Sequence, residues 1–235
     1  METKKLRASQ HFWNEKAGEN PYWYVSSSGP YHGRDLTDFW TSGLRIWNDV
    51  KSSVGYSPLR THVVVEIGCG VGRLTRAISP EVGRVEAFDI SEHMLNIAQQ
   101  SNLPNVGFHL TQGASLTDIA ANAADFVLAY CVFQHLPSRQ VLQSYLREML
   151  RVAKPGALIA FTMEPRTIKD WLLPVFRVRR RLMELFRSDE ATGLYRAEWV
   201  GIRLSENTVQ RLSPIRLSCT TLHGDKWLFH GQAPA

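Results

Sequence analysis

The sequence contains few cysteines and no long hydrophobic run. Its three cysteines, Cys69, Cys131 and Cys219, are odd in number and lack metal-ligand spacing, which argues against a disulfide framework or a zinc site. No apolar stretch approaches the length of a membrane span, and residues 1–7 lead into no apolar segment of the signal-peptide kind. We therefore predict a cytoplasmic protein with reduced thiols and no bound metal.

The excess of positive charge is small and confined to one stretch. The 235 residues carry a net charge of +5, and residues 166–187 contain seven basic and two acidic side chains. This favours a local anionic contact or a solvated helix face over a general nucleic-acid surface. Because the stretch is also amphipathic, it predicts a cap over an anionic or lipid-linked acceptor, a weak contact with an anionic membrane, or a helix with a solvated basic face. No sequence-specific nucleic-acid binding is expected.

A glycine-rich turn between a strand and a helix is the most informative feature. Residues 63–67 form a β-branched apolar run typical of a buried parallel strand. Gly68, Gly70 and Gly72 follow at alternate positions, and the residues from Arg73 onward have helical spacing. Glycines at such a corner allow a sharp turn and the close approach of a ligand. The pattern predicts a nucleotide-type binding site.

Two features discriminate between a dinucleotide and other nucleotide-type cofactors. One is the spacing of the glycines, and the other is a pair of acidic residues. A dinucleotide fingerprint has the form G-x-G-x-x-G, whereas here the third glycine falls one residue early. Glu66 stands just before the turn, where a carboxylate repels a pyrophosphate but suits an ammonium group. Asp89 ends the next predicted strand, where it can accept hydrogen bonds from both hydroxyls of a ribose. These features argue against a dinucleotide-dependent oxidoreductase.

Together, these residues resemble the first two motifs of the class I S-adenosylmethionine-dependent methyltransferases, E/D-x-G-x-G-x-G and an acidic end to the second strand. The resemblance implies S-adenosyl-L-methionine as cofactor, with the glycine turn around its methionine portion, Glu66 at its ammonium and Asp89 at its ribose. In the loop after the third strand, Ala114 replaces an acid that often contacts the adenine in this family. The resemblance predicts as cofactor-binding residues Glu66, Gly68, Cys69, Gly70, Gly72, Arg73, Asp89, Ile90, Ser91, Met94, Gly113, Ala114, Ser115, Ala129 and Tyr130.

The alternation of strand and helix patterns predicts an α/β fold with a Rossmann-like, seven-stranded, mostly parallel sheet covered by helices on both faces. Two final strands, 215–222 and 226–230, predict a C-terminal antiparallel hairpin, preceded by a helix with Ser205 as its N-cap. We expect an N-terminal segment, 1–60, of two or three short helices and a methyltransferase domain, 61–235, with a cap insertion at about 165–203. The other predicted strands are 62–67, 84–89, 106–111, 124–130 and 157–163, and the other predicted helices are 72–79, 91–100 and 138–152.

The catalytic and substrate-binding candidates each have a functional and a structural interpretation. His135 follows the fourth strand and is either a general base for a hydroxyl acceptor or a packing residue. Arg73 either meets the donor carboxylate or is an exposed first-turn residue. Aromatic residues in the N-terminal segment and the cap either contact substrate or pack. The substrate-contact candidates are Tyr22, Tyr24, His135, Tyr195 and Trp199.

The resemblance implies methyl transfer to a small-molecule acceptor in a biosynthetic or secondary-metabolite pathway, to a hydroxyl or to an amine. Such a reaction is an in-line displacement on an activated donor, so the protein gains mostly by positioning the reactants and excluding water. Three alternatives stay open: an RNA-directed methyltransferase, a lipid-directed methyltransferase, and a non-catalytic protein that binds S-adenosylmethionine to regulate a partner.

Overall fold

The computed structural model describes residues 2–27, 29–164, 194, 196–222 and 226–234. The helices are α1 (Glu2–Glu19), α2 (Pro21–Val25), α3 (Leu36–Val54), α4 (Thr75–Ile78), α5 (Glu92–Gln99), α6 (Arg139–Val152), α7 (Ala197–Val200) and α8 (Glu206–Leu212). The strands are β1 (Val63–Ile67), β2 (Arg84–Asp89), β3 (Val106–Leu110), β4 (Ala124–Ala129), β5 (Ala153–Met163), β6 (Ser218–Leu222) and β7 (Lys226–Gln232). Short 3₁₀ turns occupy Ser79–Glu81 and Phe133–His135.

Seven strands form one sheet in the order β3-β2-β1-β4-β5-β7-β6. The pairs among β1 to β5 are parallel, whereas β7 is antiparallel to both β5 and β6. The predicted Rossmann-like sheet with its antiparallel C-terminal hairpin is confirmed. Because β1 lies in the middle and the chain crosses to β4 on its other side, the carboxyl ends of β1, β2 and β4 border one crevice, where open α/β sheets bind ligands.

The central strand alternates its side chains between two hydrophobic cores. Val65 and Ile67 pack in the core that contains Leu142 of α6, and Val64 packs in the core that contains Trp47 of α3. A strand buried on both faces needs apolar residues at successive positions, which explains the β-branched run in the sequence. Helices α3, α4 and α5 therefore pack in the core on one face of the sheet, and α6 packs in the core on the other face.

The N-terminal helices are longer than predicted. The expectation of short helices was wrong for α1 and α3, which have 18 and 19 residues. The Asp35 side chain caps α3 by accepting the Thr37 N–H at 2.7 Å, and Gly55 ends it in a left-handed conformation. Pro21 begins α2 rather than only breaking a helix, because its missing N–H is not needed at the first helical position.

Two boundaries after residue 60 also differ from the prediction. The fifth strand was predicted to begin at residue 157, but β5 begins at Ala153. Its pairing with β4 shifts register after Ala153, so residues 154–156 are an irregularity inside the strand. Residues 71–74 form turns, so α4 begins at Thr75 rather than at residue 72.

The predicted C-terminal helix is confirmed, with Ser205 at the N-cap position of α8. The Ser205 hydroxyl lies 2.9 Å from the Thr208 hydroxyl and makes no capping bond to a backbone N–H. The turn of the predicted hairpin at 224–225, the basic stretch at 166–187 and Tyr195 lie outside the described residues. Within the described ranges, no helix is both long and apolar enough to cross a bilayer.

Trp47 is the largest fully buried side chain on α3, and we expect Trp47→Ala to lower the free energy of unfolding by about 3–5 kcal/mol. Its ring lies 5.9 Å from that of Tyr56 and 6.0 Å from that of Phe126, and its indole N–H donates to Glu81. Urea unfolding followed by circular dichroism measures the change. Leu44→Ala on the same helix is the control, because Leu44 is 48% exposed, and its effect should stay within about 0.5 kcal/mol. Equal losses in both variants would contradict the packing described for α3.

Candidate functional site

A cavity of about 790 Å³ opens at the carboxyl ends of β1, β2, β4 and β5. Its volume lies in the range of small-molecule and cofactor sites. The glycine turn and the end of β2 form one side, α1 and α2 cover it, and the segments after β4 and β5 form the far end. Of the residues predicted from sequence, those that line it are Glu66, Gly68, Cys69, Gly70, Arg73, Asp89, Ile90, Met94, Tyr130, His135, Tyr24 and Trp199.

The glycine turn brings its backbone against β2. Gly68 and Gly70 have φ angles of 72° and 56°, which L side chains rarely adopt. A Cβ on Gly68 would lie 2.2 Å from the Val132 side chain, so the turn also has no room for one. The N–H groups of Gly68 and Cys69 both donate to the Phe88 carbonyl, at 2.7 and 3.0 Å. These contacts fix the turn beside the end of β2.

Asp89 is held in place by backbone N–H groups on both of its carboxylate oxygens. The Gly70 N–H donates to one oxygen at 2.7 Å, and the Ser91 N–H donates to the other at 2.8 Å. Burial raises the pKa of this carboxyl, and these hydrogen bonds oppose the shift. Because each carboxylate oxygen accepts more than one hydrogen bond, Asp89 retains acceptor capacity for a diol in the cavity.

Glu66 is 3% exposed and lies beneath the same turn. The Thr75 hydroxyl donates to its carboxylate at 2.6 Å. Burial raises the pKa of Glu66 to about 7, the nearby Asp89 adds to the rise, and Thr75 and Arg73 oppose it. A cationic group bound here would favour the ionised carboxylate, which suits the ammonium role that the sequence predicted.

Arg73 is buried, so the interpretation of an exposed first-turn residue was wrong. It is 6% exposed, its Nη1 donates to the Ser42 hydroxyl at 3.3 Å, and its guanidinium lies 5.5 Å from the Phe39 ring centroid. Its Nε–H has no hydrogen-bond partner in the described part of the chain. A buried guanidinium with an unpaired donor at the cavity wall fits a carboxylate ligand.

The N-terminal segment covers the cavity, and sequence reasoning missed most of its contribution. Val25 packs so closely on Gly70 that a Cβ there would lie 2.8 Å from it. The Asn14 side-chain oxygen accepts the Ser91 hydroxyl at 2.7 Å, and Leu6 lies over Gly113. Lining residues elsewhere in the chain that were not predicted include Thr111, Val132, Gln134, Glu164 and Lys226, and those in the N-terminal segment include Ser9, Trp13, Ser42, Arg45 and Ile46.

Seven of the predicted residues do not line the cavity. Tyr22 instead packs edge-on against Phe39 and Trp40. Ser91 caps α5 by accepting the Met94 N–H at 3.2 Å. The remaining five are Gly72, Gly113, Ala114, Ser115 and Ala129.

His135 lies at the far end of the cavity between two tryptophans. Its Nδ1 is hydrogen-bonded to the Trp199 carbonyl, and its ring lies 5.2 Å from the rings of both Trp13 and Trp199. A carbonyl accepts only, so Nδ1 carries the hydrogen and Nε2 keeps a lone pair in the neutral ring. Burial lowers the pKa of His135 to about 4, with Arg203 and Lys226 adding to the shift. The imidazole is therefore neutral near pH 7.

Comparison with known proteins gives one consistent family. Residues 64–156 match the family model described as a methyltransferase domain. The ubiquinone biosynthesis O-methyltransferase of Hydrogenovibrio crunogenus is 24% identical over 130 residues, which are 54% of this chain and 53% of that protein. The same-named protein of Methylococcus capsulatus is 25% identical over 61% of this chain and 67% of its own length. This chain thus spans about half to two thirds of these relatives.

Solved structures share the whole fold at low sequence identity. The complex of DhpI with S-adenosylhomocysteine has a TM-score of 0.62 at 18% identity and covers 98% of each chain. N-methyltransferase NodS from Bradyrhizobium japonicum, also bound to S-adenosylhomocysteine, has a TM-score of 0.62 at 16% identity over 97% of this chain and 99% of its own. Residues 64–156 are thus a methyltransferase domain, and they lie within the fold of S-adenosylmethionine-dependent methyltransferases.

The cofactor of this methyltransferase domain is S-adenosylmethionine, and the residues present fit it. Asp89 offers acceptors for the ribose, while Glu66 and Arg73 offer opposite charges for the amino-acid end. In the described ranges, no group of three or more His, Cys, Asp or Glu side chains is arranged to hold a metal ion.

We expect Asp89→Asn to weaken S-adenosylhomocysteine binding by at least about tenfold, because a charge-assisted pair of hydrogen bonds to the ribose is lost while the side-chain volume is kept. Isothermal titration calorimetry measures the affinity. Asp118→Asn is the matched control, since Asp118 has a 58% exposed side chain outside the cavity wall. Equal affinities for wild type and Asp89→Asn would remove Asp89 from the ribose site.

The pH dependence of stability tests Glu66. Its pKa rises from 4.5 to about 7 on folding, so between these values the folded protein holds a proton that the unfolded chain has lost. The stability that this group contributes therefore declines as pH rises from about 4.5 to 7. Glu66→Gln should remove that part of the decline in urea unfolding without cofactor, whereas the exposed Glu92→Gln should not. An unchanged pH slope in Glu66→Gln would contradict the raised pKa.

Proposed function

We propose that this protein transfers the methyl group of S-adenosylmethionine to a hydroxyl oxygen of a small-molecule acceptor. The observation that carries the proposal is the position of His135 in the same cavity as the predicted donor-binding residues. Its Nδ1 is held by the Trp199 carbonyl, and its Nε2 is an acceptor that the Gln134 side-chain N–H approaches at 3.5 Å. The curated relatives add support, because both are named as ubiquinone biosynthesis O-methyltransferases.

The protein's own part in the reaction is positioning and proton transfer. Bound S-adenosylmethionine supplies a methyl group already activated on a positively charged sulfur. Asp89, Glu66 and Arg73 hold the donor, and the aromatic wall excludes water from the acceptor end. His135 Nε2 receives the proton that leaves the acceptor hydroxyl. The Trp199 carbonyl then stabilises the resulting imidazolium through Nδ1–H.

The lowered pKa of His135 restricts the kind of hydroxyl. At a pKa of about 4, the imidazole is available as a base throughout the neutral range, but it is a weak one. An acidic hydroxyl, such as a phenol or an enol, loses its proton to such a base more readily than an aliphatic alcohol. We therefore place the acceptor among phenols and enols.

The activity is tested by incubating the protein with S-adenosylmethionine and a panel of phenols, enols, aliphatic alcohols and primary amines, and measuring S-adenosylhomocysteine by mass spectrometry. We expect turnover with phenolic or enolic members and none with the alcohols. Turnover confined to the amines would contradict an oxygen acceptor. Donor binding without turnover on the panel, combined with methylation of RNA or of lipid vesicles, would overturn the small-molecule proposal.

His135→Asn should lower kcat by about 10²-fold and leave S-adenosylhomocysteine affinity within twofold, because asparagine keeps a donor near the Trp199 carbonyl but removes the base. The wild-type rate should be flat from about pH 6 to 8, since the imidazole is neutral over that range. His230→Asn is the matched control at a histidine outside the cavity wall. A loss of less than about threefold in His135→Asn would restore the packing interpretation.

A further inference from the structure

The acceptor end of the cavity contains three charged side chains from separate parts of the chain. Glu164 follows β5, Arg203 lies between α7 and α8, and Lys226 begins β7. All three line the cavity together with His135 and Gln134. The antiparallel pairing of Met163 with Trp227 places the end of β5 beside the start of β7. The C-terminal hairpin thus brings Lys226 to the same end of the cavity as Glu164.

The hydrogen bonds in this cluster leave one donor and one acceptor unused. Arg203 Nη2 pairs with one oxygen of Glu164 at 2.5 Å, and Gln134 Nε2 donates to the other at 3.3 Å. Arg203 Nη1 and Gln134 Oε1 are both buried without a hydrogen-bond partner among the described residues. Gln134 is only 5% exposed. Buried polar groups are nearly always paired, so this arrangement points to a ligand.

The charges in the cluster do not balance. The single negative charge of Glu164 is paired with Arg203, and Lys226 has no ion pair within the described ranges. His135, which also lies at this end, is neutral. Among the described residues, the acceptor end therefore carries an excess of one positive charge in a partly desolvated space, where an anion is favoured and a cation is not.

We propose that the acceptor of this methyltransferase carries an oxyanion, which binds to Arg203 Nη1 and Lys226 Nζ while the reacting hydroxyl points toward His135. This inference rests on the proposed function and adds the charge class of its substrate. The Gln134 side-chain oxygen accepts a second hydrogen from the acceptor. The rings of Trp13 and Trp199, with centroids 5.9 Å apart and planes tilted by 41°, present an apolar wall for the part of the acceptor between its two polar ends.

The test measures the binding of chosen probes to protein saturated with S-adenosylhomocysteine. The probes are 4-hydroxybenzoate, 4-hydroxyphenyl phosphate, phenol and tyramine, and calorimetry gives each dissociation constant. We expect at least one anionic probe to bind tenfold or more tightly than phenol, and tyramine to bind no better than phenol. Preference for the carboxylate or for the phosphate then identifies which oxyanion the site fits.

Variants separate recognition of charge from a structural role. Arg203→Gln and Lys226→Gln should each weaken the favoured anionic probe at least fivefold and leave phenol unchanged. Arg203→Lys should retain most of the affinity. Glu164→Gln should strengthen anion binding, because it removes the counter-charge of Arg203. Arg216→Gln, at an exposed arginine before β6, removes the same charge outside the cavity and should change nothing.

Two outcomes would overturn the inference. One is that the anionic probes bind no more tightly than phenol to wild-type protein loaded with S-adenosylhomocysteine. The other is that Arg203→Gln and Lys226→Gln weaken phenol as much as the anions, which indicates a structural role. Either outcome would leave the proposed S-adenosylmethionine site and the proposed methyl transfer unaffected. A wild-type protein that does not bind S-adenosylhomocysteine at all would instead overturn the proposed function.

Discussion

The hydrogen bond from the Gly70 N–H to the Asp89 carboxylate joins the two parts of the donor site, and the other features depend on it. It requires β1 and β2 to be parallel neighbours that end together, so that a turn after one strand reaches a side chain at the end of the other. It also requires the turn to have left-handed backbone at Gly70 and no side chain at Gly68. This one hydrogen bond therefore depends on the sheet order, on the glycine spacing and on the acidic residue at the end of β2.

The acceptor end is built by parts of the chain outside the common core of the domain. The ring of Trp199 on α7 packs against the rings of Trp13 on α1 and of Trp23 and Tyr24 on α2. Arg196 pairs with Glu15 at 2.8 Å, which links the α7 region to α1. The strand ends thus position Glu66 and Asp89, while helices outside the matched residues 64–156 cover the cavity. A fold can support different functions through segments added in this way.

The sequence signals of the residues that line the glycine-turn side of the cavity are local. The glycine turn, Glu66 and Asp89 each stand at a strand end that the periodicity of a few residues locates. The terminal hairpin was predicted for the same reason. Arg73 could not be assigned, because its burial depends on α3, whose Gly43 packs against the Arg73 carbonyl. Likewise, no local pattern places Leu6 or Trp13 in the cavity, since both reach it through tertiary packing across a long stretch of chain.

The central claim is that one cavity holds the donor at the glycine turn and the acceptor at His135. A crystal structure of the protein with S-adenosylhomocysteine tests it most directly. The account predicts the ribose hydroxyls on the Asp89 carboxylate, the amino-acid end between Glu66 and Arg73, and the sulfur facing the space bordered by His135 and Arg203. A ribose bound away from Asp89, or a sulfur directed away from His135, would contradict it.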